Sequence, residues 1–226
     1  MTIDRQTPVG EIAARHPMAT RVFERHGIDF CCGGGRALAE ACERKGADVS
    51  VVIGEIEKEL AGPAKDTVRW DQAPLMDLVD HIVVTYHRPL DEELPRLEKM
   101  AAKVLKVHGE KRPEMLSGVF ETVHALKDEL ESHMHKEEEI LFPLIREGHG
   151  AMALDAIDEM EHEHVAAGEG LAKLRELTSG YTVPEEACNT WTALWHGLSD
   201  LERALHAHIH LENNILFPRT RSESPM

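Results

Sequence analysis

The chain has 226 residues, 42% of them hydrophobic, and a formal net charge of −16. Such acidity disfavours nucleic acid and anionic membrane surfaces, whose phosphates would repel it, and no apolar run is long enough to span a bilayer. Four cysteines in a chain this long are not a secreted disulfide framework, and Met1-Thr2-Ile3-Asp4-Arg5 lacks a signal-peptide pattern, so a cytoplasmic location is expected. Aromatics are only 4% while Ala, Leu, Glu, Lys and Arg abound, which predicts an all-α protein.

Residues 1–60 read as a small helical domain built around Phe30-Cys31-Cys32-Gly33-Gly34-Gly35. A helical pattern starts at Glu11, a second is expected over Arg36–Lys45 and stopped by Gly46, and a third over Val49–Leu60. Neighbouring Cα atoms are ~3.8 Å apart across a trans peptide, below the usual disulfide range. Cys31 and Cys32 are therefore expected as free thiols, metal ligands or redox partners. The glycines allow close backbone approach, and the N-terminus of the helix after them is expected to lower a nearby thiol pKa. Cys42 and Cys188 stand alone and are expected in the core. Residues 61–73, with Gly62-Pro63, read as a linker, and Pro74 suits the first turn of the next helix.

Residues 74–226 hold four long patterns that alternate steps of three and four, the spacing of a bundle seam. The first carries Val83, His87, Leu90, Leu94, Leu97, Ala101 and Val104. The second carries Val123, Leu126, Leu130, His133, Glu137, Ile140 and Leu144. The third carries Ala153, Ile157, Met160, His164, Ala167, Leu171 and Leu174. The fourth carries Leu194, Leu198, Leu201, Leu205, His208, Glu212 and Ile215. Gly109–Pro113, Pro143–Gly150 and Ser179–Pro184 separate them, and the short second break demands antiparallel neighbours. The expected fold is an up-down four-helix bundle. Pro89 and Pro95 fall inside the first pattern, so a bend just after His87 or a restart near Pro89 is expected.

One stretch occurs twice. His133 to Pro143 and His208 to Pro218 both read H-x-H-x-E-x-x-I-L-F-P. In each, a His and a Glu four apart share one helical face. A weaker echo relates His87, Leu94 and Leu97 to His164, Leu171 and Leu174. Each of four helices thus puts one His on its seam, and two add a Glu one turn later. Buried carboxylates are costly unless ions balance them, so this constellation predicts a metal centre. Four imidazoles give two per ion, and Glu137 and Glu212 can each bridge both. An oxo or hydroxo bridge makes five ligands per ion and leaves one position open. Imidazole with carboxylate suits iron or manganese better than a closed zinc site.

His135 and Glu139 are also four apart, but the second copy has His210 and Asn214 there. That pair is broken and off the seam, so His135 and His210 are excluded as direct ligands and kept only as candidates for outer groups. Glu163, Glu129, Tyr86 and His108 are expected as outer groups near the metals, His108 alternatively as a helix-end cation.

The segments Gly27-Ile28-Asp29-Phe30-Cys31-Cys32-Gly33-Gly34, Tyr86-His87, Ser132-His133-Met134, Lys136-Glu137-Glu138, Glu163-His164 and Leu211-Glu212-Asn213-Asn214 together resemble the Repair of Iron Centres family. These are di-iron bacterial proteins with a short Cys-Cys domain and a hemerythrin-like bundle. The resemblance covers nearly the whole chain. It implies iron ligation by His87, His133, His164 and His208, with Glu137 and Glu212 bridging. It also implies a homodimer that answers nitric oxide and oxidative stress and restores damaged iron–sulfur proteins. The alternatives are a di-iron protein that binds or reduces nitric oxide, an oxygen carrier or sensor, and a metal-free interaction bundle.

Overall fold

The runs with the three-and-four rhythm are helices in the computed structural model, which describes residues 3–61 and 68–223. Residues 62–67, the centre of the expected linker, lie outside the described residues. In chain order the helices are α1 Val9–Arg15, α2 Thr20–Arg25, α3 Leu38–Arg44, α4 Val49–Leu60, α5 Leu75–Ile82 and α6 Arg88–His108. They continue as α7 Pro113–Lys136, α8 Phe142–Arg146, α9 Gly150–Leu177, α10 Asn189–Leu211 and α11 Phe217–Glu223. No strand occurs among the described residues, and the protein is an all-α helical bundle. The chain divides into two compact units, Asp80–Leu205 and Met1–Val79 with His206–Met226.

In the unit Asp80–Leu205 the seams are buried along α6, α7, α9 and α10, from Leu90 to Val104, Val123 to Leu130, Ala153 to Leu174 and Leu194 to Leu205. Each Leu or Ile so covered contributes about 1.5–3 kcal/mol. Helix α6 lies along α7, and α7 along α9. Helix α10 meets α9 through Arg175 and Glu202, 2.9 Å apart. It meets α6 where Gly197 faces Leu97; a Cβ at position 197 would come within 2.6 Å of a Leu97 methyl. The four rods therefore close on one another.

Besides a short 3-10 turn at Pro17–Ala19, three segments among the described residues take π geometry. Val83–His87, Glu137–Leu141 and Glu212–Leu216 are π-turns. Arg88 N–H donates to the Val83 carbonyl, Phe142 N–H to Glu137 and Phe217 N–H to Glu212. A π-turn holds one residue more than an α-turn and rotates the helix beyond it by roughly 100°. This corrects the seam. The three-and-four count puts Ile140 and Leu144 inward, but Ile140 is 53% exposed and Leu144 half-buried; Leu141, Phe142 and Ile145 take the buried face. Ahead of α6 the count puts Val83 inward, yet Ile82, five residues before His87, is the buried one. The irregularity expected near His87 is this π-turn, with Pro89 in the first turn of α6; Pro95 stays inside the helix.

In the other unit α1 to α4 pack around Val9, Ile12, Val22, Phe23, Ile28, Phe30, Leu38, Val52 and Ile56. Cys42 belongs to this core. The Asp48 side chain caps α4 by accepting Ser50 N–H. Helix α1 packs on the π-turn Glu212–Leu216. Arg219 donates to the carbonyls of Trp70 at 2.8 Å and Ala73 at 2.7 Å. Cys188, in the unit Asp80–Leu205, is exposed rather than in the core, with Sγ 3.3 Å from His108 Nε2. It stands just before α10, ahead of the first seam position Leu194.

Candidate metal centre and thiol loop

In the unit Asp80–Leu205, α7 and α9 each bring one seam histidine inward, and the first two π-turns add His87 and Glu137. All four side chains are buried. His87 Nε2 lies 3.3 Å and His133 Nε2 3.4 Å from Glu137 Oε2. His164 Nε2 is 3.1 Å from His133 Nε2. Ligand atoms of His133, Glu137 and His164 all lie within 4.8 Å of one another. The outer nitrogens are committed elsewhere. His87 Nδ1 is 2.9 Å from Glu138 Oε1, and His133 Nδ1 is 2.8 Å from Glu163 Oε2. A carboxylate accepts only, so Nδ1 carries the proton on each ring and the Nε2 lone pair points inward.

Cations in turn hold the orienting carboxylates: Arg88 and Asp91 pair beside Glu138, which Arg88 also reaches, and Lys136 bonds Glu163. Burial alone would raise the Glu138 carboxyl, but its bonds to His87 and Arg88 hold it below the usual range. Glu163 is held low in the same way, burial being outweighed by Lys136 and His133. Neither oxygen of Glu137 has a hydrogen-bond partner among the described residues. A buried carboxylate with no donor, faced by imidazole lone pairs that also lack protons, is stable when a cation lies between them. The donor set, imidazole and carboxylate, fits iron.

In the other unit the second copy of the motif gives His208 Nε2 2.8 Å from Glu212 Oε1, both side chains buried. The π-turn that Glu212 opens also holds the cysteine loop. Asn214 Nδ2 donates to the Phe30 carbonyl at 3.2 Å and the Cys31 carbonyl at 3.1 Å; Asn213 adds a longer contact of 3.4 Å to Cys31. The approach needs glycine, because a Cβ on Gly10 or Gly34 would lie 2.0 or 2.1 Å from Asn214 Oδ1. His210 is buried against Phe30, ring centres 5.4 Å apart, and burial pushes its pKa down to about 4.

Within the loop, one carboxylate gathers three backbone donors. Asp29 accepts from the N–H groups of Cys31 at 3.1 Å, Cys32 at 3.0 Å and Gly33 at 2.9 Å. Cys31 Sγ lies 3.3 Å from Asp29 and 3.8 Å from Cys32 Sγ. The expectation of a lowered thiol pKa is overturned for Cys31. Its contact with Cys32, its burial and the Asp29 charge push the thiol well above its ordinary range. Helix α3 starts only at Leu38 and runs seven residues, too late and too short to offset that.

A hemerythrin HHE cation-binding domain matches residues 78–220, and a domain of unknown function, DUF542, matches residues 5–60. The chain is 44% identical over 215 residues to the iron–sulfur cluster repair protein YtfE of Escherichia coli O81 (strain ED1a), covering 95% of this chain and 96% of that one. The same figures hold for the YtfE proteins of Escherichia fergusonii and Escherichia coli O127:H6. This chain belongs to the Repair of Iron Centres family.

In this family member the outer groups expected from sequence divide. Glu163 touches His133 as described. Tyr86 stands edge-on to His81, ring centres 5.9 Å apart. Glu129 is exposed on α7. His108 does not lie near this cluster: it ends α6, twenty-one residues and about 30 Å of helix beyond His87. There its ring lies against buried Trp191 and beside Cys188.

Four contributors escaped the sequence reading. Glu138 was hidden because its partner His87 is on another helix. Asp29 had a signal, an Asx residue opening a glycine turn. Asn213 and Asn214 had the clearest one, a change from acid to amide at the same place in a repeat. None of the helices among the described residues is long and apolar enough to cross a membrane.

Proposed function

We propose that the protein restores damaged iron–sulfur clusters by supplying iron from a two-ion store. Its ligands are His87, His133, His164 and His208, with Glu137 and Glu212 bridging both ions. The observation that carries this reading is Glu137, a buried carboxylate with no hydrogen-bond donor, between two imidazoles whose outer nitrogens are already fixed. The names of the repair-protein relatives support the choice of iron and of the client class.

Iron bound there supplies ions for rebuilding a cluster. Glu138 and Glu163 hold the Nδ1 protons so that Nε2 faces the ions. Arg88 and Lys136 offset the negative charge of those carboxylates and keep each ring at one angle. Cys31 and Cys32 serve as receiving or docking thiols, in a loop that Asn214 ties beside Glu212. In this reading the protein is a cytoplasmic homodimer and the damage comes from nitric oxide or oxidants.

The test is transfer. Iron-loaded protein incubated with an apo iron–sulfur client and sulfide should restore the client's cluster absorbance while its own iron falls. Iron that stays bound throughout would end the supply role. Nitrous oxide evolved under anaerobic reductant would favour nitric oxide reduction instead.

A further inference from the structure

The three π-turns share a proline at one offset. Pro89, Pro143 and Pro218 each stand six residues after the residue that opens the turn: Val83, Glu137 and Glu212. Each directly follows the residue whose N–H closes it. In an uninterrupted α-helix these prolines would deprive the carbonyls of Thr85, Glu139 and Asn214 of a donor and push a ring against them. With one extra residue in the turn, the preceding N–H reaches five residues back, and the proline enters the first turn of a new helical stretch, where it needs no N–H. Proline alone does not dictate this, since Pro95 sits inside α6 with no π-turn. What separates the three turns from Pro95 is a proposed ligand at one end: His87 closes the first, Glu137 opens the second and Glu212 opens the third.

A second contact ties the register to the site. Phe142 directly follows the π-turn that Glu137 opens, and the His87 ring stacks on it at 5.8 Å and 21°. The rotation of that turn therefore sets Phe142 and, through it, one face of His87.

We infer that Pro89, Pro143 and Pro218 are positioning residues for iron: they deny these turns the regular α-helical register, in which the ligands and the buried residues on the far side of each turn could not both keep their places. Annealing to α-helix would turn Leu141 and Phe142 by roughly 100° relative to His133 and Glu137. Either the buried apolar face or the carboxylate must then leave its place. This inference rests on the ligand set proposed above.

The test uses the full chain and ferrous ion as the probe, in Pro143→Ala and Pro218→Ala, with Pro95→Ala and Glu137→Ala as controls. Alanine has the higher helix propensity and supplies an N–H donor that proline lacks, so the metal-free Pro143→Ala and Pro218→Ala proteins should have Tm values equal to or above the parent. They should nevertheless bind ferrous ion at least about tenfold more weakly, in the range seen when groups that orient ligands are lost. The absorption spectrum of the bound iron should shift. Pro95→Ala should keep both affinity and spectrum. Parent-like affinity and spectrum in Pro143→Ala and Pro218→Ala, beside lost binding in Glu137→Ala, overturn the proline role alone. Parent-like binding in Glu137→Ala removes the ligand set and this inference with it. An affinity loss that merely tracks a fall in Tm across all the proline variants, Pro95→Ala included, also overturns it.

Discussion

His133–Pro143 and His208–Pro218 begin as one motif and end in different surroundings. The positions that face inward are kept: His133 with Glu137, His208 with Glu212, each followed by a π-turn and a proline. The positions between have been rewritten to suit what lies outside them. Glu138 faces donors, the His87 Nδ1–H and Arg88, and so must be an acceptor. Asn214 faces acceptors, the carbonyls of Phe30 and Cys31, and so must donate, which no carboxylate can. His135 and Ile140 are exposed, whereas His210 and Ile215 are buried, the former under Phe30. One copy thus serves the proposed metal site and a neighbouring histidine, while the other serves the proposed site and the thiol loop.

The largest expected effect tests whether the inward halves are equivalent. Glu137→Ala and Glu212→Ala should each lower ferrous-ion affinity by more than about a hundredfold, beyond the loss caused by orienting groups. Titration with a competing chelator measures it. If one variant lost iron and the other kept it, the pseudo-symmetric pairing of the copies would be wrong.

A smaller loss is expected where the outer carboxylates act. Glu138→Ala and Glu163→Ala should weaken iron binding by roughly 10–100-fold. Glu138→Gln and Glu163→Gln keep an oxygen acceptor for Nδ1–H and should lose less. Equal losses for Ala and Gln would mean that charge, not orientation, is what these residues supply.

The second copy has its own test. Asn214→Asp replaces a donor by a charge facing two carbonyl oxygens, at a cost of about 1–3 kcal/mol to the docked loop. Cys31 is buried and its thiol pKa is raised, so iodoacetamide should label it slowly at pH 7 and faster only as pH rises past 9. In Asn214→Asp the neutral-pH labelling should accelerate roughly tenfold or more, with bound iron little changed. Unaltered labelling would show that the glycine contacts and Asp29 hold the loop without the amide.

These contrasts also mark how far sequence reaches. The seams of α6, α7, α9 and α10 were legible because the period of 3.6 imposes steps of three and four wherever one face is buried. The burial of the six ligand candidates was legible for the same reason, helped by the repeat. Ile140 and Leu144 were misjudged because a π-turn inserts a step of five, and period counting has no place for it. The proline after Ile-Leu-Phe and the five-residue gap from Ile82 to His87 were the available signs. Glu138 was illegible because its partner is contributed by a different helix. The direction of the Cys31 shift was misjudged because a helix N-terminus was weighed without the second thiol and the Asp29 charge beside it. Cys188 was misjudged because a lone cysteine was expected in the core from its residue type, without weighing its place ahead of α10.

The smallest effect concerns the amide's counterpart in the first copy. Glu139 matches Asn214 in the repeat, yet it is exposed, whereas Asn214 is bonded to loop carbonyls. Glu139→Asn therefore gives the first copy the second copy's residue without the acceptors that give the residue its use. Stability should change by less than about 0.5 kcal/mol, as for other surface substitutions, and iron affinity should stay within about twofold of the parent. Urea unfolding and ferrous titration measure the two quantities. If Glu139→Asn weakened iron binding as much as Glu138→Ala, position 139 would face the ions' surroundings after all. The division of each copy into a kept inward face and a rewritten outer face would then be drawn in the wrong place.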